Sequence, residues 1–340
     1  MKKKVSIIEV AKRLDVSPTT VSFILNGRSK EKRISDDLRD KVLKFVDEIG
    51  YKPNSLARSL RTGKTNTIGL MVESISDPFF GHIARNIEEK AYKSGYKILY
   101  SSTGNNTEKT REFLKMYEER HVDAYIIAPP EGIETELQQI IDSGKPVLLF
   151  DRYLKDLNTD TILVNNYEST AQSVKQLIQS GFKNIAFITL DSLQSQMNDR
   201  LLGYEETLKA NGLPQYLKEI SFDLPPEKVT AHIEAFLQRR GEVDAVIFAT
   251  NYLCVYGLKA IERLGLKIPD DLGVIVFDDQ DLFELYKPQI TAIAQPIEEM
   301  ANQIISVLLN KLNGTVKSKK PQTIVLKADM IIRDSSAKPS

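Results

Sequence analysis

The 340-residue chain carries 46 basic and 46 acidic side chains, and 41% of its residues are apolar, which suits a water-soluble protein with room for more than one domain. No apolar run approaches the ~20 residues that a membrane span needs. The charged start Met1-Lys2-Lys3-Lys4 is followed by Glu9, Lys12 and Arg13 rather than by the unbroken apolar core of a signal peptide. A single cysteine, Cys254, excludes an internal disulfide and points to a reducing compartment, so a cytoplasmic location is expected.

At the N-terminus, Ile7, Val10, Ala11 and Leu14 stand at i, i+3, i+4 and i+7, which is one apolar helix stripe. Asp15-Val16 follow as a turn. Ser17 can then cap a second helix, and Pro18 suits its first position, where no donor is needed. Val21, Ile24 and Leu25 supply the buried face of that helix. Ser35-Asp36-Asp37 open a third helix with the stripe Leu38, Val42, Phe45, Val46 and Ile49, closed by Gly50. Two short helices joined by a tight turn and backed by a third suit a helix-turn-helix, which offers its second helix to DNA.

Charge supports that reading. Met1–Lys64 holds sixteen basic residues against eight acidic ones, so the zero net charge hides a basic head on a mildly acidic body. On the second helix, Pro18, Thr19, Thr20 and Phe23 face away from the stripe. Threonine hydroxyls can bond base edges or phosphate, and threonine or phenylalanine carbon can touch a thymine methyl. Tyr51-Lys52-Pro53 then breaks the chain. Asn54 can cap a helix through Ser55–Arg61 that is too short to persist without a partner.

From Thr67 onward, strands alternate with helices. Strands are predicted at Ile68–Val72, Lys97–Ser101, Ala124–Ala128 and Val147–Phe150, with helices at Phe79–Ser94, Glu108–Arg120 and Ile133–Ser143. The rhythm restarts with strands Thr161–Val164, Ile185–Thr189, Ala245–Ala249 and Val274–Phe277, and helices Glu168–Ser180, Arg200–Asn211, Pro226–Arg239 and Leu253–Leu264. Strand Gln289–Ala294, helix Ile297–Leu312 and strand Thr323–Ile332 close the pattern. Short apolar strands between amphipathic helices imply parallel sheets covered on both faces. Two such sets imply two doubly wound lobes, with a ligand cleft at the carboxyl ends of their strands. Polar residues stand at those ends: Asp77, Asp151, Asn251, Asp278 and Gln295, with Arg200 opening a helix. Carboxylates and amides bridged by an arginine suit vicinal hydroxyls, and Phe79 or Phe80 could stack on an apolar ring face.

Val10-Ala11, Val16-Ser17-Pro18-Thr19-Thr20-Val21-Ser22, Leu25-Asn26, Gly50-Tyr51-Lys52-Pro53-Asn54, Ala57-Arg58-Ser59-Leu60-Arg61-Thr62-Gly63, Asp77-Pro78-Phe79-Phe80 and Phe277-Asp278-Asp279 occur in that order. With this order and spacing the chain resembles the lactose-repressor (LacI/GalR) family of bacterial transcription regulators from about Val5 to Asp334. The resemblance implies an all-α helix-turn-helix head on an α/β body of two doubly wound, parallel-sheet lobes of periplasmic-binding-protein type. The head would span 1–52, the hinge helix and linker 53–65, and the body 66–334. Lobe 1 would hold about 66–163 and 295–322, and lobe 2 about 164–291 and 323–334.

The resemblance further implies a homodimer on a pseudo-palindromic, double-stranded operator, with a small effector in the cleft and no cofactor. Ser6, Ser22, Asn26 and Arg28 match positions that anchor the DNA backbone, and Ser17 joins Pro18, Thr19, Thr20 and Phe23 at the DNA. Asn54, Ala57, Arg58 and Leu60 match the hinge helix, whose paired Leu60 side chains would wedge into a central minor-groove step while Ala57 permits close approach. Asp77, Phe79, Phe80, Asp151, Arg200, Asn251, Asp278 and Gln295 match positions that line the effector site, here expected to take a sugar or sugar phosphate. Three residues depart from the family pattern. Phe23 stands where relatives often carry a guanine-reading arginine or histidine, Tyr252 where many sugar binders carry aspartate, and Ala128 where some carry a polar residue.

Catalysis is not expected. His82, His121 and His232 lack triad or metal spacing, the adjacent Asp278-Asp279 point different ways, and Gly63-Lys64-Thr65 lacks the earlier glycine of a phosphate loop. A solute-binding receptor of the same body fold is the alternative. It would have no use for a basic helix-turn-helix.

Overall fold

The structure, a computed structural model, describes residues 5–51, 63–238, 242–314 and 320–338. The chain divides into two units, 1–65 and 66–340.

In the first unit, helices α1 (Ile7–Leu14), α2 (Pro18–Leu25) and α3 (Asp36–Glu48) each start at a serine whose hydroxyl accepts from the helix's first turn: Ser6 from Glu9 N, Ser17 from Thr20 N and Ser35 from Leu38 N. Each cap satisfies one otherwise orphaned amide and contributes about 1 kcal/mol. The turn between α1 and α2 rests on Asp15, which takes a left-handed conformation at φ 55°, one that aspartate tolerates better than most residues. Val10, Ala11, Val21, Ile24 and Val42 form a small buried centre, flanked by Ile7, Leu14, Leu25 and Phe45. The predicted hinge residues Asn54, Ala57, Arg58 and Leu60 lie outside the described residues.

The second unit contains two six-stranded sheets. The first has the order β11-β5-β4-β3-β1-β2, from Thr323–Leu326, Asp160–Val164, Val147–Phe150, Ala124–Ile127, Thr67–Val72 and Lys97–Ser102, with every pair parallel. The second has the order β12-β10-β9-β8-β6-β7, from Asp329–Ile331, Thr291–Ala294, Gly273–Phe277, Ala245–Phe248, Ile185–Leu190 and Tyr216–Ile220. Only its β12–β10 pair is antiparallel. Central strands such as Ala124–Ile127 and Ile185–Leu190 are buried along their whole length, because helices cover both faces. The chain passes between lobes after β5, after β10 and again between β11 and β12. Among the described residues, no helix is long and apolar enough to cross a membrane.

Three sequence expectations are corrected. Thr323–Ile332 is not one strand of the second lobe: Thr323–Leu326 pairs with β5 in the first sheet, and only Asp329–Ile331 reaches the second. Both pieces are short edge strands, and Ala328, whose amide donates to Asn165 Oδ1, marks the passage between them. Tyr216–Ile220 adds an edge strand that apolar-run counting overlooks, since an edge strand alternates and here carries Lys218 and Glu219. The helix expected to open at Arg200 begins at Ser195, which places Arg200 in its second turn.

Helix α7 (Asn166–Gln179) packs on α8 (Ser195–Ala210) so closely that a Cβ on Gly203 would lie 2.4 Å from the carbonyl oxygen of Tyr167. Backbone, unlike the end of a flexible side chain, cannot yield cheaply. A Gly203→Ala substitution is therefore expected to destabilise the body by about 1–3 kcal/mol despite alanine's better helix propensity, and urea unfolding checks it.

Candidate functional site

The carboxyl ends of both sheets meet in a cleft. Asp77 follows β1 by a short turn and caps α4 (Pro78–Lys93) by accepting from Phe79 N at 2.9 Å. Burial raises its pKa, against the hydrogen bond from Asn251 Nδ2 at 3.4 Å. Asn251 itself begins α10 (Asn251–Arg263) behind the cap Thr250, so the Asp77–Asn251 contact joins the lobes. A second joint is Tyr153 N donating to Ser195 Oγ at 2.9 Å.

Asp151 and Asp278 occupy equivalent places, one residue beyond β4 and β9. Both have left-handed backbone, at φ 68° and 74°, and each amide donates to the neighbouring strand, at Ile162 O and Ile293 O. Each carboxylate is paired with a buried guanidinium. Arg152, 3% exposed, donates from Nε to Asp151 Oδ2 at 2.8 Å, from Nη2 to Glu73 Oε2 at 2.9 Å and from Nη1 to Asn105 Oδ1 at 3.0 Å. Burial pulls its pKa down, but Asp151 and Glu73 outweigh that and raise it.

Arg200, 2% exposed, donates from Nε to Asn166 Oδ1 at 2.8 Å and from Nη1 to Ala249 O at 2.7 Å, and lies 3.4 Å over the Phe277 ring. Its partner Asp278 stands 4.0 Å from Nη1, and burial lowers the Arg200 pKa. Arg200 Nη2 makes no hydrogen bond among the described residues. Burial pushes the Asp278 carboxyl up to about 6, although Arg200 and the 2.5 Å hydrogen bond from Gln295 Nε2 oppose it.

Seven of the eight expected effector residues line one cavity: Asp77, Phe79, Phe80, Asp151, Arg200, Asn251 and Asp278. Gln295 is not on its wall and reaches it only through Asp278. Phe79 and Phe80 meet edge to face at 4.9 Å, and Phe80 stands similarly against Phe150. Sequence reasoning missed Glu73, Arg152, Gln194, Gln196 and Met197 on the same wall. For Glu73 a usable signal existed, since it follows its apolar strand as directly as Asp151 and Asp278 follow theirs, and Arg152 stands only one residue further along. Two buried acceptors here lack partners among the described residues, Gln196 Oε1 and Gln295 Oε1.

On the head, Ser17, Pro18 and Thr19 are exposed at the start of α2, and Thr20 is half-buried with its hydroxyl 2.8 Å from Ser17 Oγ. Ser6 and Ser17 are engaged as caps. Asn26 Nδ2 donates to Ser22 O at 2.7 Å, and Arg28 is held by Glu31. Phe23 is half-buried, outside the apolar centre, with Lys32 Nζ 5.4 Å and the Arg28 guanidinium 5.9 Å from its ring centroid.

A basic helix-turn-helix ahead of two parallel-sheet lobes with a polar cleft is the plan of a DNA-binding regulator built on a solute-binding body. Residues 6–54 match the family described as bacterial regulatory proteins, lacI family, and residues 174–336 match a periplasmic binding protein-like domain. A sucrose operon repressor from Pediococcus pentosaceus is 32% identical over 324 residues, covering 94% of this chain and 96% of that protein. A periplasmic binding protein/LacI transcriptional regulator from Alkaliphilus metalliredigens, complexed with D-xylulofuranose, is 26% identical with a TM-score of 0.70, covering 79% of this chain and 98% of that one. The fold also matches that of a lac repressor dimer bound to operator and the anti-inducer ONPF: TM-score 0.84 at 22% identity, over 98% of this chain and 100% of that one. The chain belongs to the lacI family and is a DNA-binding transcriptional repressor of that type.

Removing Arg152 would strand Glu73 and Asp151 without their shared cation. Arg152→Gln is expected to cost about 3–5 kcal/mol in denaturant unfolding, and adding Glu73→Gln to recover part of it. Asp278 titrates higher in the folded chain than unfolded, so its contribution to stability is full below pH 3.8 and is lost as pH rises through about 6. Relative to wild type, Asp278→Asn should therefore gain by up to about 3 kcal/mol between pH 4 and pH 7 in unfolding measured across that range.

Proposed function

We propose that this regulator binds a pseudo-palindromic operator as a cytoplasmic homodimer and that a neutral carbohydrate, held between the lobes, sets its operator affinity. The charge balance of the cleft carries the effector reading. Glu73, Asp77, Asp151 and Asp278 face two guanidiniums, both already engaged by carboxylate, amide or carbonyl oxygen. Such a wall repels a phosphate and welcomes hydroxyls, which can donate to carboxylates and to Gln196 Oε1 while accepting from Arg200 Nη2. Phe79 and Phe80 supply apolar ring contact. The sugar named with the similar Alkaliphilus structure and the operon named for the similar Pediococcus repressor agree with this choice.

Asp77 and Asn251 bond each other across the cleft, so an effector that replaces this contact alters lobe closure. Occupancy then selects between two arrangements of the body by its differential affinity for them. In the head, Thr19, Thr20 and Phe23 read base edges and Ser6, Ser17, Ser22, Asn26 and Arg28 hold phosphates, with Pro18 starting the reading helix. Asn54, Ala57, Arg58 and Leu60 form the hinge contact at the operator centre.

Selection of bound DNA from a random library is expected to return a two-fold symmetric site. A complex with 6–10 phosphate contacts should lose about 10³-fold or more in affinity between 50 and 200 mM salt. Sugars, sugar phosphates and purine bases are then screened for a change in affinity for that site. A neutral sugar should act, and an Arg200→Lys variant, which loses the planar fork, should need about tenfold more of it. No selected site would overturn the DNA reading. Response only to phosphorylated or purine compounds would overturn the effector reading.

A further inference from the structure

Asp278 has a neighbour that the effector cavity does not use. Asp279 follows it directly, yet neither Asp279 nor its partner Arg333 lies on the cavity wall. In the first lobe the equivalent position holds Arg152, which turns back to Asp151. The second lobe places a carboxylate there, and its cation comes from 54 residues further along the chain.

Arg333 donates from Nη1 to Asp279 Oδ1 and from Nη2 to Asp279 Oδ2, both at 2.8 Å, and from Nη1 to Ile290 O at 2.7 Å. Only 10% of its side chain is exposed. Its backbone is anchored too. Arg333 N donates to Thr291 Oγ1 at 2.9 Å, and Ser335 Oγ accepts from Thr291 N at 2.8 Å while donating to Val274 O at 2.6 Å. The residues after β12 are thus fastened both to β9, which ends in the Asp278 turn, and to β10, which pairs with it.

A planar two-point contact fixes an orientation that a point charge cannot. Asp278 needs such support, because a left-handed aspartate persists only where its surroundings hold it. Its own contacts are the amide bond to Ile293 O and the bond from Gln295 Nε2. The Arg333 fork holds the residue that follows. It also neutralises Asp279, which would otherwise set a free carboxylate next to Asp278 in the chain.

Resting on the reading above that an effector is held at Asp278 and Arg200, we propose that Arg333 is a positioning residue of that site: it clamps Asp279 and so fixes the turn from which Asp278 faces Arg200 and the cavity. Arg333 acts on the effector only through that turn.

The test follows Asp278 in the full-length protein. Its titration reports its position, since burial is the largest influence on it; Arg200 and Gln295 oppose that influence, and Asp77 and Asp151 add like charge. Urea unfolding is measured from pH 4 to pH 7 for each variant with and without Asp278→Asn, and the difference isolates this carboxyl. Two variants conserve net charge: Arg333→Lys, which loses the fork, and the pair Arg333→Met with Asp279→Asn, which removes the clamp. In wild type the difference should turn at about pH 6. The midpoint is expected to fall by about half a pH unit in the lysine variant and by about one in the pair, as a slackened turn admits water to the carboxyl. A loss of stability equal at every pH, with the wild-type midpoint kept in both, overturns the proposal. If the pair does not fold, the lysine variant decides. Calorimetric titration with ribose, sucrose and xylulose adds a binding arm: a sugar that binds wild type should bind Arg333→Lys about three- to tenfold more weakly. Equal affinity likewise overturns the proposal. Binding of none of the three counts against the carbohydrate reading and leaves the pH profile to judge the clamp.

Discussion

The body depends on the burial of two guanidiniums at the place where the two sheets converge. Arg152 and Arg200 are each almost wholly removed from water, and a charge so placed costs several kcal/mol unless it is paired and fully hydrogen-bonded. The fold meets that demand with the same local device twice. A strand ends, the next residue is an aspartate in left-handed backbone, and its amide still pairs with the neighbouring strand while its carboxylate turns toward the cation. Asp151 serves Arg152 within one lobe, and Asp278 approaches Arg200 within the other.

The two devices are not balanced alike. Arg152 has two carboxylates and an amide oxygen, whereas Arg200 has one carboxylate at the limit of ion pairing, an amide oxygen, a carbonyl and the face of Phe277. The difference appears in the opposite directions of their shifts: carboxylates raise Arg152, while burial lowers Arg200 and raises Asp278. Arg152 is thus a closed, structural knot. Arg200 retains an unused nitrogen and an incompletely satisfied partner, which is the condition in which a cleft gains most from a ligand's hydroxyls.

Much of this could be read from residue order because strand ends are conspicuous. An apolar run that stops at Asp151, Asn251 or Asp278 announces a carboxyl edge, and two successive sets announce two lobes. What failed had a common physical origin: where one face of an element is wet, the apolar run disappears. Tyr216–Ile220 alternates at an edge, and the run from Thr323 to Ile332 hides a change of sheet between two short edge strands. Glu73 and Arg152 are hard to read in the sequence for another reason. A charged residue after a strand reads as solvent-facing unless one knows that a second lobe covers it. Gln295 shows the converse, since its position at a strand end is right but it acts on the cavity only through Asp278.

The head follows the opposite electrostatic logic from the cleft. Its cations are exposed, and those nearest the reading helix are held within the protein: Arg28 pairs with Glu31, and Lys32 bonds the same carboxylate while both lie over Phe23. Exposed pairs of this kind contribute little to stability and are readily exchanged. On the DNA contacts proposed above, phosphate would compete for both cations, and their transfer would uncover the Phe23 ring. A ring has no strong donor or acceptor to leave unsatisfied, so the preference proposed for it would rest on contact with the thymine methyl and on groove shape rather than on a bidentate hydrogen bond. On that proposal phosphate grip and base choice would be coupled in this head, because side chains that reach phosphate would be those that cover the ring.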